Sequence, residues 1–427
     1  TDLAILDNVV RENDVGVLLA RTGDFNLTFE DNRVDDNEAD GMDVWTAGGS
    51  TFAANVSDSA FRNNGGDGLL LYAEGFGGAL TEVSDSEFSG NVAMGLNSFQ
   101  LNSEFAMTLI SGVDAVHNGG GLVNQQNNNV FSLLNVSATT ADDNLGFGLT
   151  NAQNSVLASI GVFGMPDGLD ASVDAVASLF GLTLPDEVGQ FLAPSGAVSA
   201  SGNGAFGIQS IISVQNGLAL GAYLDVTAND NLGSGVFAMQ NAINGVAVGL
   251  AGSTENLSEI VALGTQLGSA LGVDLPLSLA GGGQMQCNGN LGTGFNMQSF
   301  GSNLAVNAVV GLEATGNAGP GVFLGTYSDY MSIGALARVN ASDNLGAGVL
   351  FDVYALDEAA IGIVADVNAS GNGDSGITAS VDCPDGSAAL VALSTDAIRP
   401  LGALLGDAYL DGPITLPGDP FGPIVTS

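Results

Sequence analysis

The nine residues ASDNLGAGV, at 341–349, recur along the chain with small changes. The phrase reads ASGNGAFGI at 200–208, ANDNLGSGV at 228–236, CNGNLGTGF at 287–295, ATGNAGPGV at 314–322 and ASGNGDSGI at 369–377. Its constant parts are a small or apolar residue, two turn formers, an Asn, and a Gly followed by an apolar residue. The Asn stands at Asn13, Asn37, Asn64, Asn91, Asn118, Asn144, Asn203, Asn231, Asn290, Asn317, Asn344 and Asn372. Successive spacings are 24, 27, 27, 27, 26, 59, 28, 59, 27, 27 and 28, and each 59 is one 27-residue period plus 32 residues. A unit of this length cannot bury its own apolar side. Stacked units can, and equivalent positions then form columns.

Three residues before each Asn the side chain is apolar, as in Val34, Phe61, Phe88, Ala200 and Cys287. Five before, it is apolar or small, as in Val113, Val198 and Val339. This period of two is a strand with one buried face. The residue after the Gly is apolar in all twelve copies, from Val17 to Ile377. Asn and Gly between these strands provide left-handed or tight turns. The pattern predicts an all-β chain, a parallel β-helix (β-solenoid) of about 12–14 coils of about 27 residues, spanning 1–427 as a single unit. The twelve Asn then form a structural column that hydrogen-bonds along the axis, as Asn ladders do in stacked strands. In repeat period and Asn/Gly turns the chain resembles the right-handed parallel β-helix superfamily, typified by pectate-lyase-like proteins.

Two helix-containing insertions are expected, at 153–196 and 246–282. The first sets Leu169, Val173, Val176, Ala177 and Phe180 on one helical face; the second sets Leu257, Ile260, Val261, Leu267 and Leu271 at helical spacing. A third excursion, at 386–427, leads through ITLP into an extended tail. No amphipathic helix stands ahead of Asn13. An uncapped coil exposes unpaired backbone groups, a template for another chain. The expectation is head-to-tail assembly, with Ile424 and Val425 of one copy meeting Leu3, Ile5 and Val10 of the next.

Composition narrows the function. The chain has 46 acidic and 6 basic residues, a net charge of −40, and all six basic residues are Arg. Binding nucleic acid needs cations that displace counterions, so nucleic acid is excluded as a partner. No run of about 18 apolar residues occurs, so no membrane span is expected. The resemblance admits a carbohydrate-active β-helix, a polysaccharide lyase or hydrolase, or a glycan-binding module. Lyases of that superfamily use Arg or Lys as base, and between Arg62 and Arg338 no cationic side chain occurs except His117. The hydrolase pattern of clustered Asp with G-H-G and R-I-K is absent, and no catalytic residue is assigned. Asp142 and Asp143 are adjacent, so in a strand they would face opposite ways.

The densest acidic stretch, DDNEADGMD at 35–43, makes Asp35, Asp36, Glu38, Asp40 and Asp43 the candidate ligands for a hard cation such as Ca²⁺; otherwise they form a solvated acidic face. No other cofactor is indicated. One histidine cannot build a histidine zinc site. Cys287 falls in the inward column and reads as a core residue. Asp outnumbers Glu 34 to 12, and such a surface suits high salt, where repulsion is screened. The expected protein is extracellular or on a cell surface: a structural rod that self-assembles into a filament or serves as an adhesin. Its partners would be itself, cations and surface glycans. The alternative is the carbohydrate-active β-helix.

Overall fold

The computed structural model describes residues 1–164, 195–253, 284–393, 413–414 and 424–425. The chain is a parallel β-solenoid of about 12 coils, one for each anchor Asn. At about 4.8 Å per coil the stack is about 55 Å long. Each of the first ten coils carries a short strand before the anchor, replaced by an isolated bridge at Asn340 and Asn368 in the last two, and extended strand follows the anchor. The short strands, such as Arg33–Asp35, Ala60–Arg62 and Glu87–Ser89, form a ten-stranded sheet. The long ones form the principal sheet. Met42–Ser57, Leu69–Ser84, Gly120–Ser137, Leu149–Phe163, Ile208–Leu224 and Val236–Gly252 are continuous; in other coils the strand divides, as into Phe295–Gly301 and Leu304–Val310. Neighbouring coils pair in parallel with equivalent positions in register, for example Val236 with Phe295 and Phe295 with Val322.

The inward columns are those read from the repeat. The residue three before the anchor is fully buried from Val34 to Ala341, and half-buried in the outermost coils at Val10 and Ala369. The residue after the Gly is buried from Met42 to Val349. Rings stack along one column: Phe61 lies 5.0 Å from Phe88, with planes 5° apart. The residue just before each anchor adopts a left-handed backbone, with φ of 54–58° at Glu12, Asp36, Asn63, His117, Asp143, Asp230 and Asp343. At the other five copies it is glycine, with φ of 67–71°. This explains the alternation of Asp, Asn and Gly at that place, since these residues tolerate left-handed geometry best.

The inside of the long sheet is partly polar. Gln100, Gln126 and Gln153 stack at the same register, each donating along the column or across the coil. Gln126 Nε2 donates to Gln100 Oε1 at 2.8 Å and to the Leu133 carbonyl at 2.9 Å; Gln153 Nε2 donates to Gln126 Oε1 at 2.7 Å. Facing glycines leave the room: a Cβ at Gly221 would lie 2.4 Å from Gln240 Nε2.

Leu149–Phe163 and Val236–Gly252 run as ladder strands through the first residues of 153–196 and 246–282. The helical patterns at Leu169–Phe180 and Leu257–Leu271 lie outside the described residues, and among the described residues there is no helix. Ladder pairing passes across both interruptions, from Leu149 to Ile208 and from Val236 to Phe295. In sequence, 165–194 and 254–283 fall between a long strand and the next short strand.

Candidate functional site

The anchor Asn form an unbroken axial ladder. Each Nδ2 donates to Oδ1 of the next Asn, from Asn13–Asn37 at 3.2 Å to Asn344–Asn372 at 3.1 Å, eleven bonds in all. The same Oδ1 also accepts the preceding Asn backbone N–H, as at Asn144→Asn203, 3.0 Å. The second Nδ2 hydrogen reaches back to a carbonyl of the previous coil, as from Asn203 to Ala141 at 3.0 Å. The glycine four after the anchor permits this approach: a Cβ at Gly68 would stand 2.9 Å from Asn91 Nδ2 and 2.6 Å from the Gly95 carbonyl.

Outward on the principal sheet stands an aromatic ladder. Trp45, Tyr72 and Phe99 occupy one register position in successive coils. Trp45 is 44% exposed, and its ring stacks on Tyr72 at 4.6 Å; Tyr72 lies 6.2 Å from Phe99. An open groove of about 450 Å³ lies beside Trp45 and Tyr72, lined also by Thr22 and the exposed Arg21. Tyr72 Oη donates to Glu74 Oε2 at 2.9 Å, which raises the phenol pKa, and Asn102 Nδ2 donates to the other oxygen at 3.1 Å. A second ladder, Phe300, Tyr327 and Tyr354, stands two residues further along the strand in later coils. There the phenol of Tyr327 donates to Asp352 at 3.0 Å. Desolvation, and secondly the Asp352 charge, push the Tyr327 pKa well up. Composition misses these ladders because it counts rings without placing them. Their signal is positional, an aromatic eight after Asn37, Asn64 and Asn91 and ten after Asn290, Asn317 and Asn344.

The acidic stretch is dispersed by the coil. Asp35 is 1% exposed and ion-paired with Arg33. Asp36 holds the left-handed turn. Glu38 lies one residue past the anchor Asn37. Asp40 Oδ1 accepts the backbone N–H of Asp67 at 2.7 Å, and Asp67 accepts Met94 N–H at 2.8 Å and Asn97 Nδ2 at 3.0 Å. Asp67, unremarked in the sequence, joins Asp40 and Asp43 from the next coil. Among the described residues no three His, Cys, Asp or Glu side chains converge on a metal position. Burial, and then the neighbouring carboxylates, raise the pKa of both Asp43 and Asp67. A carboxyl with a raised folded-state pKa contributes stability that is present at low pH and lost as pH rises through that value. Asp43→Asn is therefore expected to melt higher than the parent at pH 7. The gap should narrow on acidification to about pH 4, the usual carboxylate range. A gap that is constant with pH, measured by thermal melting, would remove the titration of Asp43 from the account.

At the first coil, Asp2–Leu6 pairs with Phe25–Glu30, and Leu3, Ile5 and Val10 are half-buried against the core. Ile424–Val425 pairs antiparallel with Pro413–Ile414, outside the solenoid sheets. Cys287 and Cys383 are both buried free thiols. No protein-family model, curated protein or solved structure matches this chain.

Proposed function

We propose that the chain is a non-catalytic extracellular structural protein, a rod of the pectate-lyase-like kind that assembles head to tail or serves as an adhesin. The observation that carries this reading is the unbroken asparagine ladder, with its parallel core columns, from the first anchor to the last. Such a column resists axial shear because every coil is bonded to both neighbours through a buried, saturated polar row. A chain with 46 acids and 6 bases suits a saline or cation-rich exterior. In the axial joint Leu3, Ile5 and Val10 extend the columns into the next copy, and Ile424 and Val425 supply a strand to it. Sedimentation and negative-stain imaging in molar salt test this: the parent should form axial polymers, and Ile5→Asp should not. A parent that stays short at high concentration, or an Ile5→Asp variant that polymerises equally, overturns the axial joint.

A second reading, glycan binding, is favoured by the Trp45–Tyr72–Phe99 ladder, because flat rings at this spacing offer faces to the apolar sides of sugar rings. Trp45 is the only tryptophan, so its emission reports this face directly. Titration with neutral oligosaccharides should shift that emission, and Tyr72→Ala should weaken binding about tenfold or more. Unchanged emission across a panel of neutral glycans decides against this reading.

A further inference from the structure

Where the residue just after the anchor Asn is large it is exposed, and the column of these positions has a pattern that neither the core nor the axial joint uses. With coils numbered by their anchors, Asn13 as coil 1 and Asn372 as coil 12, the large members are Val92, Leu145, Leu232, Leu291 and Leu345, in coils 4, 6, 8, 9 and 11. They are 71%, 82%, 62%, 62% and 75% exposed, and they include the three most exposed large apolar side chains of the described residues. The small members are Gly119, Gly204, Ala318 and Gly373, in coils 5, 7, 10 and 12.

We infer that this stripe is a self-complementary seam on which two rods lie side by side, antiparallel, about a two-fold axis through Leu232. In that register coil 8 faces coil 8, and the coil numbers of facing positions sum to 16. Val92 then faces Gly373, Leu345 faces Gly119, Leu145 faces Ala318 and Leu291 faces Gly204. Every large residue except Leu232 meets a small one, the arrangement a packed isologous contact needs. One coil of slip either way sets Leu145 against Leu291 or Leu345. A parallel arrangement sets every leucine on itself and leaves the glycines facing voids.

Charge marks the same limits. In coils 4–12 the three residues after each anchor include one acid, Asp374. In coils 1–3 the corresponding turns hold Asp14, Glu38, Asp40 and Asp67. The antiparallel register pairs the anchor turns of coils 4–12 with one another, so those four acids lie outside the paired turns. Eight coil steps span about 38 Å. With a contact about 15 Å wide, the two copies bury a little over 1,000 Å² together, near the lower bound for a specific interface. Asp230 flanks the axis in both copies, so the pairing should tighten as salt screens it.

Oxidative cross-linking with copper-phenanthroline and air in molar salt tests the register. Cys287 and Cys383 are buried and give little background. Leu232→Cys should form a covalent dimer by itself. Leu145→Cys and Ala318→Cys should each remain monomeric on a denaturing gel, while the double variant cross-links. In parallel, Leu232→Glu with Leu291→Glu should weaken dimerisation at least tenfold by sedimentation. If those glutamates unfold a coil, the cysteine pairs decide alone. A monomeric Leu232→Cys, or a Leu145→Cys that links as fast alone as with Ala318→Cys, overturns the seam. The seam does not depend on the axial joint: Ile5→Asp should abolish polymers and leave the lateral dimer.

Discussion

Replacing Val349 by Asp is expected to melt the last coils of the rod while the earlier coils stay folded. Val349 is fully buried, between Val322 of the coil before and Ile377 of the coil after. A carboxylate placed there would lie in the apolar core cluster that holds Val322, Ala341 and Phe351. Burying it unpaired costs several kcal/mol, more than a single coil interface can absorb. In a solenoid each coil touches only its neighbours, so the damage spreads outward to the nearer end and stops inward where intact interfaces begin. Leu345 is the control. It is also apolar and only four residues away, but it is 75% exposed, and in the monomer, at protein concentrations too low for the lateral seam to form, Leu345→Asp should change stability by no more than about 0.5 kcal/mol. Hydrogen exchange resolved by peptide should show protection lost beyond about residue 322 in Val349→Asp and kept throughout in Leu345→Asp. Equal protection in the two variants would mean that the inward and outward columns have been assigned wrongly.

That contrast also shows what the repeat discloses and what it hides. Leu345 and Val349 are equally apolar, and periodicity separates them only because Val349 follows the conserved-spacing Gly while Leu345 follows the Asn in the turn. The coil period, the core columns and the turn chemistry were legible for this reason: they depend on residue types that the geometry favours, such as the left-handed residue before each anchor, which is Asp or Gly in nine of the twelve copies. The long sheet was not legible. Its inward positions hold Gln100, Asn124, Gln126, Asn151 and Gln153, so the expected apolar alternation is missing although the strand alternates in burial. The Gln and Asn side chains are admitted there because their amide N–H groups donate along the stack, as from Asn124 to Asn151 and from Gln153 to Gln126. The candidate sites were harder still. The acids at 35–43 look clustered in sequence, but a strand and a turn send Asp35 and Asp36 to different surroundings and bring in Asp67 from 27 residues beyond Asp40. The Trp45 ladder required reading down the stack rather than along the chain.

Removing the Asn203 amide should be costly, and the cost should depend on position in the column. Asn203 is fully buried; its Oδ1 accepts both the backbone N–H and Nδ2 of Asn144, and its Nδ2 donates to Asn231 Oδ1 and the Ala141 carbonyl. Asn203→Ala leaves the two Asn144 donors and the Ala141 oxygen in a dry interior without these bonds. At about 1–3 kcal/mol for each orphaned group, and allowing for relaxation, the loss should be about 3–6 kcal/mol. Asn13→Ala at the exposed end should cost about 1 kcal/mol or less, since the Asn13 backbone N–H still reaches Asn37 Oδ1. Asn203→Asp separates hydrogen bonding from packing. Its carboxylate still accepts from Asn144, but its other oxygen now faces two acceptors, Asn231 Oδ1 and the Ala141 carbonyl. Protonation restores one donor, so the folded state raises the pKa of this acid. Its contribution to stability is then present at low pH and lost as pH rises through the raised value. Melts at pH 4 and pH 7 should show Asn203→Asp recovering part of its deficit on acidification relative to Asn203→Ala. Equal losses at Asn13 and Asn203, or an Asp variant whose deficit relative to Ala does not move with pH, would show that the ladder's hydrogen bonds do not hold the coils together and that side-chain packing alone does.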